Sequence, residues 1–257
     1  MPCARPDVIR RPPLAVIAAL ALAMAPHAAA MTPSADEILI AAERQRGIPR
    51  PHTFEASIAP TSDDGVRGAT SMTRVEVRSN GFAQQLVIVL EPSRGDAMLS
   101  TPDVVWVRPR RLHRLTRIPP ELRMFSAASV GDVTAIDLVG TYVATLADGA
   151  DPAPAPYRLD LTARADVRYP RASYTIGRDD FRPLQIDFEA ASGKILKTVT
   201  YGAFTRVFDR VIPTELVVHD RVYRDASVVR LSDFRPLAPV DPAMFTPDYL
   251  LTLGDDT

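Results

Sequence analysis

Apolar and polar residues alternate with a period of two along most of the chain beyond residue 53, which predicts a mainly β protein. Turn signals recur between these runs, at Asn80-Gly81, Gly95-Asp96, Asp179-Asp180 and Ser192-Gly193. Only Ser34 to Arg46 reads as a convincing helix. The prediction is one large antiparallel sheet of about ten or eleven strands, a size at which open sheets curl. The helix and a few short helical turns lie over it.

Residues 1–30 have the layout of a signal peptide rather than of a folded segment. Arg5, Arg10 and Arg11 form a positive region, Leu14 to Met24 an apolar run, and Ala28-Ala29-Ala30 a small-residue cleavage site. The Arg10-Arg11 pair is followed by Pro12-Pro13, which favours ordinary secretion over the twin-arginine route. Cys3, the only cysteine, precedes the apolar run and is no lipid-attachment site, so export without disulfides is expected. The remaining residues, 31–257, suit one domain. Without Arg5, Arg10, Arg11 and Asp7 (net +2) the formal charge moves from -1 to -3. No basic excess calls for nucleic acid, and no basic run for an anionic membrane.

Ser34 and Glu37 make a capping box at the start of the helix, and Gly47 is placed to end it. Thr70 to Arg78 alternates as a half-buried strand, and Asn80-Gly81 turns it back. The return strand, Phe82 to Glu91, is apolar on both faces at Leu86 to Leu90, so both faces should be covered. Val104 to Arg108 and Arg111 to Arg117 read as two strands separated by Pro109, which cannot donate to a ladder. Glu121 to Phe125 and Asp132 to Leu138 read as short helical turns. Further strands are expected at Tyr142–Leu146, Tyr157–Thr162, Ala172–Arg178, Leu184–Glu189 and Lys194–Tyr201. After a turn at Ile212-Pro213 come Thr214–Val222 and Ser227–Phe234. The proline-rich Asp151 to Pro156 reads as a stiff surface connector.

The order of strand, proline, arginine-rich strand, proline-flanked turn and GDVTAIDL, from Val104 to Leu138, resembles the LolA-like outer-membrane lipoprotein-sorting family. Asp132, Val133, Thr134, Asp137 and Leu138 fall into its pattern, with Gly131 where the family has serine. The family's aromatics are replaced by Val133 and Ala135. FRPLQIDFEAASGKILK, from Phe181 to Lys197, and the closing DPAMFTPDYL continue the likeness, which spans about residues 68 to 250. The resemblance implies a half-barrel with helices as a lid over an apolar cavity for acyl chains. It also implies a periplasmic location, an inner-membrane donor, an outer-membrane acceptor, and association with resistance-nodulation-division exporters.

No chemical motif competes with that reading. His52, His113 and His219 lack zinc spacing, and there is no G-x-S-x-G elbow, phosphate loop or S-x-x-K. Neither a cofactor, a metal nor a catalytic residue is expected. Asp132 reads as the cap of a helix start. The apolar strand faces suggest Leu86, Ile88, Trp106 and Leu115 as cavity residues, with Phe125, Leu138, Leu184, Ile186 and Phe188. Arg108, Arg111 and Arg114 could hold a lipid headgroup or an acidic partner, or be ordinary solvated positions. The expected function is a carrier of lipid or lipoprotein acyl chains. The alternative is a non-catalytic adaptor for an envelope export complex.

Overall fold

In the computed structural model the residues described are 33–61, 72–92, 94–102, 104–112, 114–134, 136–147 and 154–253. The expected signal segment, His113, Ala135 and part of the 151–156 connector lie outside them. Helix α1 spans Ala35–Arg46. Strands β1 (Pro51–Thr61), β2 (Thr73–Asn80), β3 (Gln85–Glu91), β4 (Ala97–Ser100), β5 (Val105–Arg108) and β6 (Thr116–Ile118) follow. A small hairpin, β7 (Arg123–Phe125) and β8 (Ala128–Ser129), leads into α2 (Val130–Thr134) and α3 (Leu138–Thr141). The chain then forms β9 (Tyr142–Leu146), β10 (Tyr157–Ala163), β11 (Arg171–Ile176) and β12 (Pro183–Glu189). Finally come β13 (Ile195–Val207), β14 (Arg210–Asp220), β15 (Asp225–Pro236), a 3-10 turn (Pro242–Phe245) and α4 (Pro247–Thr252).

The expected mainly antiparallel sheet is present, open, and larger than anticipated at 13 strands. Its order is β6-β5-β4-β3-β2-β1-β15-β14-β13-β12-β11-β10-β9. Every neighbour is the next strand in the chain except β1 with β15. The chain therefore leaves the sheet at one edge, β6, and re-enters at the other, β9. The segment between them has to cross a face, and this is why β7, β8, α2 and α3 lie on the sheet beside α1.

That inner face is continuous and apolar. Phe54, Val77, Val89, Leu159, Tyr174 and Val218 from distant strands form one buried cluster with Ile38, Leu39 and Ala42 of α1. The cluster also takes in Val130 and Val133 of α2 and Leu138 of α3. The helix starts as expected: Glu37 N donates to Ser34 Oγ at 3.3 Å, and Ser34 N to the Glu37 carboxylate at 2.8 Å. Gly47 is extended rather than left-handed, and its role is steric, since a Cβ there would meet the Phe82 ring at 2.8 Å. Gly81 does adopt positive φ, 68°, and a Cβ would meet the Pro49 carbonyl oxygen at 2.5 Å. Phe82 belongs to the turn, not to β3.

The strand expected to be covered on both faces is covered on both. Val87 and Val89 belong to the inner cluster, while Leu86 and Ile88 pack with Ala97, Leu99, Phe245, Leu250 and Leu253 on the opposite face. The second cover is the C-terminal turn and α4, not a cavity.

Three local expectations are corrected. Glu121 to Phe125 is not helical; β7 pairs with β8, and the pair is held by Ala127 N donating to Ser227 Oγ at 3.0 Å. A segment this short has no intrinsic helical stability, so such tertiary bonds decide. The strand expected at Arg111–Arg117 is reduced to β6, because Leu112 N donates to Pro109 O and turns the chain first. The hairpin expected to turn at Ile212-Pro213 turns instead at Phe208-Asp209, as Ile212 is drawn into a buried cluster with Ile48 and Val207.

Two outcomes follow. Ile88→Glu should lower unfolding stability by more than about 3 kcal/mol in denaturant titration, since it places an unpaired charge beneath α4. His52 joins Phe54 and Phe234 in a three-ring cluster, its ring 5.6 and 6.2 Å from theirs, with Nδ1 2.8 Å from the Arg50 carbonyl oxygen. Burial pushes its pKa below the ordinary 6.5, so the fold prefers the neutral ring. Stability present above pH 6.5 should therefore decline as pH falls below it. Melting temperatures at pH 7.5 and 5.5 should differ less in His52→Phe than in the unmodified chain.

Candidate functional site

The interior between the sheet and its helices is apolar, with two charge pairs, one buried and one partly buried, that tie the helices down. At the end of α1, Arg46 Nη2 pairs with Glu43 at 2.5 Å and donates to the Ile136 carbonyl. Glu43 also accepts from Leu138 N at 3.4 Å. One pair thus joins α1 to the connector between α2 and α3. Burial pushes the Glu43 carboxyl above its usual range, with Arg46 opposing. Burial likewise raises the phenols of Tyr174 and Tyr201, which lie near Arg46. Arg46 Nε and one Glu43 oxygen are buried with no hydrogen-bond partner.

The second pair anchors α2. Lys197 Nζ lies 2.5 Å from both oxygens of Asp132, and the side chains are only 4% and 3% exposed. Asp132 is not itself the cap. Ser129 is, accepting from Asp132 N at 3.3 Å, while Asp132 accepts from Ser129 N at 2.7 Å. A capping box therefore also carries an ion pair to the sheet. Lys197 falls in period-two register with Val199 and Tyr201, and Arg46 lies four residues after buried Ala42. These positions within apolar faces are the signals that sequence reasoning passed over.

Space inside is small. Cavities of about 40 and 60 Å³ lie on either side of Arg46, each room for a few waters at most. Outside them a groove of about 550 Å³ runs between α1, the Phe82 turn and the α2–α3 connector. Ile40, Phe82, Pro102, Ile136 and Val139 line it, and Arg46 borders both groove and cavities.

The expected cavity residues divide between two faces. Phe125, Leu138, Ile186 and Phe188 meet in the inner cluster. Leu86, Ile88, Trp106 and Leu115 lie on the far side of the sheet, with α4. Leu184 is half-buried at the start of β12. One sheet has two faces, and alternation alone does not say which is inner. The arginines also separate. Arg108 is fully buried, with Nη1 3.5 Å from the Gly95 carbonyl oxygen, so it presents no charge to a headgroup. Arg111 and Arg114 are exposed on the β5–β6 connection. Among the described residues no three His, Cys, Asp or Glu side chains gather as metal ligands. No described helix is long and apolar enough to cross a membrane.

Comparison with known proteins agrees with this architecture. A protein-family profile described as "Uncharacterized protein" matches residues 81–252, more than half of the chain. The crystal structure of a LolA superfamily protein from Nitrosomonas europaea is similar at 25% identity and a TM-score of 0.74, covering 85% of this chain and 100% of that one. The chain belongs to the LolA-like family. A DUF1329 family protein from Desulfovibrio piger shares the LolA-like fold at 17% identity and a TM-score of 0.68, covering 84% of this chain and 97% of its own. So does an outer membrane lipoprotein-sorting protein domain from Vibrio parahaemolyticus, at 16% and 0.66, covering 84% and 98%. No curated protein matches the chain.

The anchor of α2 can be tested directly. Lys197→Met leaves Asp132 as an uncompensated buried charge and should cost about 3–5 kcal/mol in unfolding titrations. Lys197→Met combined with Asp132→Leu should recover most of that loss.

Proposed function

We propose that this LolA-like protein is a periplasmic carrier that binds a lipid, or the acyl chains of a lipoprotein, between the inner face of its sheet and α1–α3. The carrying observation is the wide apolar face closed only by short helices, which are held by charge pairs at Arg46 and Lys197. The groove beside Arg46 supplies an apolar approach from outside. Closed, the interior has no room for an acyl chain, so loading requires the helices to lift. Burying about a dozen methylenes would contribute roughly 10 kcal/mol, at about 0.8 each, against breaking those contacts. Transfer requires no covalent step. In this reading an inner-membrane transporter donates the cargo and an outer-membrane component accepts it.

The test is native mass spectrometry, with organic extraction, of protein secreted and purified without detergent. Bound phospholipid or acylated peptide is expected; a chain that stays free of lipid after incubation with vesicles would overturn the proposal. The location of the site has its own test. Val199→Phe and Leu216→Phe fill the inner face and should reduce lipid stoichiometry severalfold. Leu86→Ala, on the other face, should lower stability by about 2–5 kcal/mol and leave loading intact.

A further inference from the structure

The β14–β15 and β12–β13 turns stand side by side at one end of the sheet. Arg221 N donates to Leu196 O, and one step further the register sets Ile195 beside Val222. Apolar side chains at this end face water: Tyr223 is 65% exposed, Val222 52%, Ile195 41%, and Met124 of the neighbouring β7 38%. Lys194, Arg221 and Arg224, all exposed, surround them.

Asp220 and Asp225 at the tip are engaged by the chain itself. Asp220 accepts from Val222 N and Tyr223 N at 2.9 and 3.0 Å, shaping the turn from inside. Arg123 pairs with both Asp220 and Asp225 and stacks on the Tyr223 ring at 4.5 Å. What faces outward is therefore apolar and cationic, on a chain whose formal charge is -1.

We infer that this double tip docks on an anionic lipid surface, with Val222, Tyr223 and Ile195 entering the headgroup region and Lys194, Arg221 and Arg224 meeting lipid phosphates. Charge complementarity favours this occupant, and so does the mix of exposed cationic and apolar side chains. Two adjacent hairpin ends bring these side chains together, and tyrosine with aliphatic neighbours suits a membrane interface. Cations close to such a surface add attraction that salt weakens. The inference does not depend on the acyl-carrier reading, since docking needs no cargo.

The experiment is co-sedimentation of the full chain, freed of any signal segment, with phosphatidylglycerol–phosphatidylethanolamine vesicles and with phosphatidylcholine vesicles. Binding to the anionic vesicles only, weakened by salt, is expected. Val222→Ser with Ile195→Ser, and separately Lys194→Gln with Arg224→Gln, should each weaken it roughly tenfold. All four positions are exposed, and an unchanged melting temperature verifies that the variants fold. Absence of binding to anionic vesicles, or equal binding by the folded variants, overturns the inference. Variant-sensitive capture by polyglutamate but not by vesicles would also overturn it, in favour of an acidic protein partner. Extraction of lipid from the same samples reports on cargo separately, so the two proposals fail independently.

Discussion

The constraint on which this structure depends is the need to cover the inner face of a very wide sheet. Thirteen strands in near-sequential order present a broad apolar surface, and leaving it in water would cost far more than the fold gains elsewhere. The topology supplies its own cover. Because the chain departs at β6 and returns at β9, the segment between these edges has to span the face. It does so as a hairpin and two short helices; α3 packs against α1, and α2 against β4 and the hairpin.

Short covering helices have little stability of their own, and the polar contacts that hold them are unusual in kind. Buried ion pairs contribute little net stability compared with apolar residues of the same shape, yet losing one partner is costly. Arg46–Glu43 and Lys197–Asp132 therefore behave as position-specific fasteners more than as a source of stability. Elements joined by a few discrete contacts are the ones able to open while the sheet persists. This links the charge pairs to the proposed carrier role, in which the cover would have to lift from an apolar surface.

The two faces have different fates. Beneath α4, Leu86, Ile88 and Leu99 are packed as an ordinary core. On the inner side the same strands meet helices bordered by small cavities and a groove. A half-open arrangement on one side and a closed one on the other is what a carrier requires, with stability and access supplied by opposite surfaces of one sheet.

Much of this was legible along the chain. Strict alternation determined the β class and most strand positions, the capping box at Ser34 and Glu37 determined the start of α1, and the doubly apolar β3 announced two covers. These are local properties, and periods of 2 and 3.6 carry them directly. What only the tertiary structure decided concerns pairings distant in sequence. It chose which face of β3 joins the inner cluster and which meets the C-terminal turn and α4, brought Lys197 to Asp132 and Arg123 to Asp220, and buried Arg108 at the head of an apparently exposed arginine run. It also assembled a basic, apolar tip from two hairpins in a chain without a basic run. Alternation marks residues that share a face but does not name that face, and charge is sequestered or exposed only once strands far apart in sequence lie side by side.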